Sequence, residues 1–213
     1  MSISDIISQY DIKEILHFTT SKGITGILAT DYLSCRNILH QDNYLEYIYQ
    51  YNCPDRSRDR DWWGYVNLSV TSVNRHLFGI SCGKWHSSED CWWCVLSFKP
   101  EICNHAGVHF TTTNNMYSGV MRQQGETGLK TMFAPQIAQW HGKTIKRLHT
   151  TPSNQPTCEQ AEVLYPNKLS LNNINCVYVE NEENAAKFDS IKVLFNKWSA
   201  IPCTVKADLF NNR

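Results

Sequence analysis

The chain has 213 residues, 42% apolar and 19% charged, a balance that excludes a largely disordered polyelectrolyte and suffices to bury a core without covalent staples. Its 20 basic and 20 acidic groups cancel, so an anionic partner must be met by a local patch rather than by the field of the whole molecule. No stretch reaches the roughly 20 apolar residues that span a bilayer, and the polar, amphipathic N-terminus is unlike a signal peptide, so a cytoplasmic protein without a membrane partner is expected.

In chain order, residues 5–16 place Ile6, Ile7, Tyr10, Ile15 and Leu16 at loosely helical spacing and predict a first helix. Ser21 is placed to cap a second, whose Ile24, Ile27 and Leu28 share a face. From 65 to 71 the period falls to two. Val66, Leu68 and Val70 alternate with Tyr65, Asn67, Ser69 and Thr71, which predicts a strand with one apolar and one unusually polar face. Further strands are expected at 92–98, 107–111, 160–165, 174–179 and 202–206 from their β-branched and aromatic content. Residues 112–158 form a long polar connection with one helix expected near 128–140, and a connection of that length in a compact domain is usually functional. Ala185, Phe188, Ile191, Leu194, Phe195 and Trp198 recur every three or four residues and predict an amphipathic helix packed on a sheet. No repeat or Gly/Ser linker divides the chain, so one domain over 1–213 is expected, with 112–158 as an elaborated substrate loop.

Charge is uneven along the chain. Residues 101–150 carry five basic groups against two acidic ones and add His105, His109, His141 and His149. Lys143, Lys146 and Arg147 lie close together there, a patch able to meet phosphates within a Debye length of about 8–10 Å; a plainly solvated face is the bland alternative. The nine cysteines are scattered, several in apolar runs where a thiol packs as a small hydrophobe.

Three constellations are candidates for chemistry. In the strand expected at 160–165, Gln160 and Glu162 share a face, and a carboxylate among apolar neighbours is costly unless it is paired or used. His17-Phe18-Thr19-Thr20 immediately precedes a helix start, where His17 and Thr19 project together and can hydrogen-bond the ribose, amide or phosphate of a nucleotide. Arg56, Arg58 and Arg60 alternate with acidic and small residues, either as a solvated loop or as a pyrophosphate clamp. Cys82, His86, Cys91, Cys94, Cys103 and His105 fall within two dozen residues, but Cys91 and Cys94 sit three apart in a β-rich run and so point to opposite faces, which argues for packed thiols over zinc. Walker, Rossmann and zincin motifs are absent from the sequence.

Taken together, HFTTSKGITGILATDYLSCRN near the N-terminus, the Arg loop, GYVNLSV, GVHFTTTNNMY and QAEVLY resemble the DarT family of DNA ADP-ribosyltransferases over nearly the whole chain. The Gln-x-Glu pair also looks like the catalytic signature of the wider ADP-ribosyltransferase superfamily. The resemblance implies an α+β fold of two abutting, twisted, mainly antiparallel sheets with flanking helices and an NAD cleft between them. It implies transfer of ADP-ribose from NAD, without a metal, to a base in single-stranded DNA, by the toxin of a bacterial toxin–antitoxin pair whose antitoxin is a macrodomain. Glu162 would be the catalytic carboxylate, stabilising the charge that develops on ribose and taking the acceptor proton. Arg56 or Arg58 would meet the pyrophosphate; His17, Phe18, Thr19, Gly26, Leu33 and Tyr65 would contact NAD; Gln160 would orient the acceptor. Asn114, Asn115, Tyr117, Arg122, Lys143 and Arg147 would line the nucleic-acid groove. The family's more familiar branch has Pro-Phe-Tyr-Phe where this chain has Val66-Asn67-Leu68-Ser69, a basic residue at the place of Glu159 and often Asn at that of Gly23, which leaves guanine and thymine both open as the acceptor base. The competing readings are an ADP-ribosyltransferase acting on protein or RNA, and a non-enzymatic zinc or nucleic-acid-binding module.

Overall fold

The computed structural model describes residues 1–41, 51–53, 57–87, 90–140 and 142–211. In chain order the elements are α1 (Ile3–Gln9), β1 (Ile15–Thr20), α2 (Ser21–Thr30), β2 (Tyr32–Ser34), α3 (Arg36–His40), β3 (Tyr65–Val70), α4 (Arg75–Ile80), β4 (Trp93–Phe98), β5 (His109–Thr111), β6 (Arg122–Gln124), α5 (Gly125–Thr131), β7 (Gln136–Ala138), β8 (Thr144–Lys146), β9 (Glu162–Pro166), β10 (Lys168–Ser170), β11 (Ile174–Val179), α6 (Glu182–Lys192) and β12 (Cys203–Val205).

Eight strands form one sheet in the order β12-β11-β4-β1-β3-β9-β5-β6, antiparallel except where β11 and β12 run parallel. Its middle is thin. β1 pairs with β4 along all six residues, from Ile15↔Phe98 to Thr20↔Trp93, but with β3 only at Ile15↔Val70 and Leu16↔Ser69. β3 then follows β9 from Leu68↔Val163 to Tyr65↔Pro166. The expected pair of abutting antiparallel sheets is therefore present as two halves, β12-β11-β4-β1 and β3-β9-β5-β6, hinged on two residue pairs. The alternation of β3 explains its polar face: Val66, Leu68 and Val70 are buried in the larger core with Ile24, Leu96, Phe110 and Val163, while Asn67 and Ser69 turn to the other side of the sheet. A second core, built on Leu16, Phe18, Phe78, Trp93, Val95 and Phe210, backs the first half of the sheet.

Several elements depart from the sequence reading. The helix expected over 5–16 stops at Gln9; Asp11 turns the chain at φ 54°, and Ile15 and Leu16 open β1. β1 is buried on both faces, so it carries no alternation to distinguish it from a helical run. The α2 cap is Thr20 rather than Ser21: its Oγ1 accepts from the Gly23 N–H at 3.1 Å. The strand expected at 160–165 begins at Glu162, so Gln160 precedes it instead of sharing its face. The helix expected near 128–140 is α5, which ends at Thr131; Pro135 bars its continuation, and 136–138 is one arm of the β7–β8 hairpin. The amphipathic pattern of 185–198 ends as a helix at Lys192, leaving Leu194 77% exposed while Trp198 is buried from a separate turn.

Candidate active site

A cleft of about 630 Å³ opens where β1 leaves β3. Two edges that part in this way leave backbone groups without ladder partners, and side chains take their place. The Asn67 carbonyl on β3 accepts from Nδ1 of His17 at 3.0 Å, and the Phe18 carbonyl on β1 accepts from Nδ2 of Asn52. Because Nδ1 must carry the proton to donate to a carbonyl, Nε2 of His17 is the lone-pair nitrogen, and Asn52 Nδ2 stands 3.5 Å from it. Burial pushes the imidazole down to about 4 against the opposing pull of the Asn67 carbonyl, so His17 is neutral at physiological pH and works as a fixed donor–acceptor pair.

Glu162, the first residue of β9, is 6% exposed and faces the same cleft. Oε1 accepts from Nδ2 of Asn67 at 2.9 Å, and Oε2 accepts from the backbone N–H of Asn115 at 2.8 Å. Its own backbone is held by Thr111 on β5, whose Oγ1 accepts from the Glu162 N–H at 2.9 Å and donates to the Thr113 carbonyl at 2.8 Å. Arg122 supports this arrangement from behind. Nε donates to Asn115 Oδ1 at 2.5 Å, a second guanidinium nitrogen donates to the Asn115 carbonyl, and the charge lies 5.4 Å over the Trp62 ring. Burial lowers the Arg122 pKa, while the nearby Glu162 carboxylate raises it. A carboxylate so held in a concave site of this volume can stabilise developing positive charge or take a proton.

The cleft wall gathers His17, Phe18, Thr19, Leu33, Arg58, Tyr65, Asn114, Asn115, Tyr117 and Glu162 from the sequence-derived candidates. Phe18 also belongs to the second core, stacked on Phe78 at 4.6 Å. Arg56 lies outside the described residues, and so does His141. Gly26 is buried within α2, its carbonyl accepting from the Thr30 hydroxyl at 2.9 Å, and is not part of the wall. Gln160 is beside Tyr117, whose phenol is pushed up chiefly by burial and pulled the other way by the Gln160 side chain. Tyr117 in turn meets Trp140 edge-on at 4.4 Å, and Lys143 lies 4.6 Å over the same indole. Arg147 is engaged in its own loop, donating to the carbonyls of Gln155 and Pro152 at 2.7 and 2.6 Å.

Sequence reasoning missed Arg36, Asn52 and Asn67, which also line the cleft. The Arg36 guanidinium is 4.0 Å over Tyr51 and donates to the Cys53 carbonyl at 3.0 Å. For Asn67 the signal was present, as a polar residue on a strand face that had no evident reason to be polar. Among the described residues no three His, Cys, Asp or Glu side chains are arranged to hold a metal ion, and burial drives the Cys94 and Cys103 thiols upward, the latter to about 12.

The chain's residues 16–210 match the DarT family, described as ssDNA thymidine ADP-ribosyltransferase. No curated protein sequence matches it. Among solved structures, Thermus sp. 2.9 DarT in complex with NAD+ aligns with a TM-score of 0.61 at 13% identity, covering 93% of this chain and 98% of that one. The same Thermus protein in complex with ADP-ribosylated ssDNA aligns at 0.61 and 14% identity, covering 93% and 96%. Thermosipho africanus DarTG in complex with ADP-ribose aligns at 0.59 and 14% identity, covering 94% of this chain and 52% of its own. At these identities the likeness establishes the fold.

Proposed function

The chain belongs to the DarT family of ssDNA thymidine ADP-ribosyltransferases, and from that premise we propose how its cleft divides the work. It transfers ADP-ribose from NAD to a base in single-stranded DNA, releases nicotinamide, and acts as the toxin of a toxin–antitoxin pair. The single observation that supports this reading best is the placement of the Glu162 carboxylate, buried and hydrogen-bonded to Asn67 and Asn115 in the cleft that His17 enters from the opposite strand.

The residues present suit NAD. The volume is within the range of about 300–1,000 Å³ usual for ligand pockets, and Oδ1 of Asn52 and Oδ1 of Asn67 are buried acceptors with no partner among the described residues, which hydroxyl or amide donors would satisfy. His17 and Thr19 hold the nicotinamide riboside. Arg58, exposed on the cleft wall, meets the pyrophosphate; Arg56 shares or replaces it in that role. Phe18, Leu33 and Tyr65 complete the apolar wall.

As the bond between the ribose anomeric carbon and the nicotinamide nitrogen breaks, its electron pair leaves with nicotinamide and the sugar becomes positive. Glu162 opposes that charge from a fixed position, an interaction strongest in the transition state. A nitrogen of the acceptor base then bonds to the anomeric carbon, and its proton passes to Glu162 and on to solvent. Single-stranded substrate suits this chemistry because a duplex would first have to release the base. Asn114, Asn115, Tyr117 and Gln160 face the acceptor, while Arg122 acts on it through Asn115. Lys143, with Trp140, serves the flanking strand. We also assign the protein to the cytoplasm and give it a macrodomain antitoxin that removes the mark. No helix among the described residues is long and apolar enough to cross a membrane.

Acceptor competition tests the reaction. With labelled NAD and equal amounts of single-stranded DNA, RNA and cell protein, label is expected on DNA; label confined to protein would reject it. Co-expression of a macrodomain hydrolase active on DNA-linked ADP-ribose is expected to restore growth, and failure to do so would reject the antitoxin assignment.

A further inference from the structure

Asn67 holds both sides of the cleft at once. Its backbone carbonyl accepts from His17 Nδ1 at 3.0 Å, and its side-chain Nδ2 donates to Glu162 Oε1 at 2.9 Å. A carboxylate oxygen only accepts, so the second bond fixes which way the amide points. Oδ1 is thereby the end of the amide that Glu162 does not engage. It is shielded from solvent, it lies on a residue that lines the cleft, and it makes no hydrogen bond among the described residues. A buried carbonyl oxygen left unpaired is costly, and such atoms in native sites commonly await a ligand donor.

The required donor can be specified from what surrounds it. Oδ1 of Asn67 and Oε1 of Glu162 are neighbouring acceptors that flank the same Nδ2, and a pair of adjacent hydroxyls can satisfy both. We propose that Asn67 binds substrate directly, Oδ1 accepting from the ribose hydroxyl next to the one that Glu162 engages, while Nδ2 positions the Glu162 carboxylate. The proposal rests on the reading of the cleft as the NAD site and adds to it a residue that grips the sugar diol. Asparagine suits both tasks. Aspartate would set a second carboxylate against Glu162 and lose the donor, and a serine hydroxyl could not span the two partners.

The test is a cycle between enzyme and substrate. Wild type and Asn67→Ala are assayed for kcat/KM on a single-stranded oligonucleotide with NAD and with three analogues: 2′-deoxy and 3′-deoxy at the nicotinamide ribose, and 3-acetylpyridine in place of nicotinamide. Asn67→Ala is expected to lose roughly ten- to a hundred-fold with NAD. It should lose little further with one of the two deoxy analogues, while the acetylpyridine loss adds independently. Additive losses for both deoxy analogues overturn the proposal, as does coupling to the acetylpyridine analogue, which would place a carboxamide N–H on Oδ1. Asn67→Asp separates positioning from packing: with two carboxylates side by side, the acidic limb of its pH–kcat profile is expected to move upward, whereas an unmoved limb contradicts the positioning role. If Asn67→Ala does not fold, the wild-type Asn67 side-chain amide resonances serve instead. They should shift on adding NAD and not with the matching deoxy analogue; identical shifts overturn the proposal. A wild type that neither releases nicotinamide nor labels DNA takes the cleft reading down as well, and active wild type with an additive cycle removes only the assignment of Asn67.

Discussion

Lowering the pH from 7 towards 4 is expected to destabilise the fold through His17 more than through an ordinary histidine. In the folded state the ring donates from Nδ1 to the Asn67 carbonyl and presents Nε2 to the Asn52 amide, so a proton on Nε2 would set two donors against each other. Burial accordingly lowers the pKa from 6.5 to about 4. The unfolded chain therefore binds this proton between about pH 6.5 and 4 while the folded chain does not, and stability present above that window is lost on descending through it. At about 1.4 kcal/mol per pH unit the loss approaches about 3 kcal/mol, and because the residue as a whole is only half-buried the expected figure is nearer to about 2. Urea denaturation at half-unit steps from pH 7.5 to 4, on wild type and His17→Asn, isolates the effect, because asparagine can keep the donor to Asn67 without titrating. Wild type is expected to lose about 2 kcal/mol more than the variant over this range. Parallel stability curves would refute the buried neutral imidazole.

Arg122→Ala removes both bonds to Asn115 and so loosens the N–H that holds Glu162 Oε2; kcat is expected to fall about ten-fold with KM for NAD changed little, and steady-state kinetics showing full kcat would contradict the supporting role. Gly128→Ala places a methyl 2.3 Å from the Gln123 carbonyl oxygen and 3.1 Å from the Phe110 ring, neither of which is free to move. A destabilisation of about 2–4 kcal/mol is expected in chemical denaturation, and a change within about 0.5 kcal/mol would show that the α5–β6 junction yields.

What could be read in the sequence followed local period. β3 announced itself by alternation, and its odd polar face was the outward sign of the cleft. β4, β11 and β12 stood out by composition, and the acidic residue that opens β9 stood out against its apolar neighbours. β1 did not, because a strand buried on both faces looks like any apolar run. The cleft itself depends on β1 and β3 pairing at two positions and no further, a non-local fact that no window of residues contains. For the same reason Asn67 could be marked as unusual but not as the link between His17 and Glu162, which lie 145 positions apart in the chain and meet only through a strand between them. Arg147 shows what a basic segment cannot reveal: its charge suggested phosphate contact, and only the structure shows its guanidinium bonded to carbonyls of its own loop.

The central claim is that the carboxylate of Glu162 drives glycosidic bond cleavage and base modification. The direct measurement is mass spectrometry of short defined oligonucleotides after incubation with NAD, wild type against Glu162→Gln, with NAD affinity measured in parallel by calorimetry. Wild type is expected to add one ADP-ribosyl group to a single base, and the variant to do so at least roughly a hundred-fold more slowly while still binding NAD. A variant that modifies the oligonucleotide as fast as wild type would contradict the account.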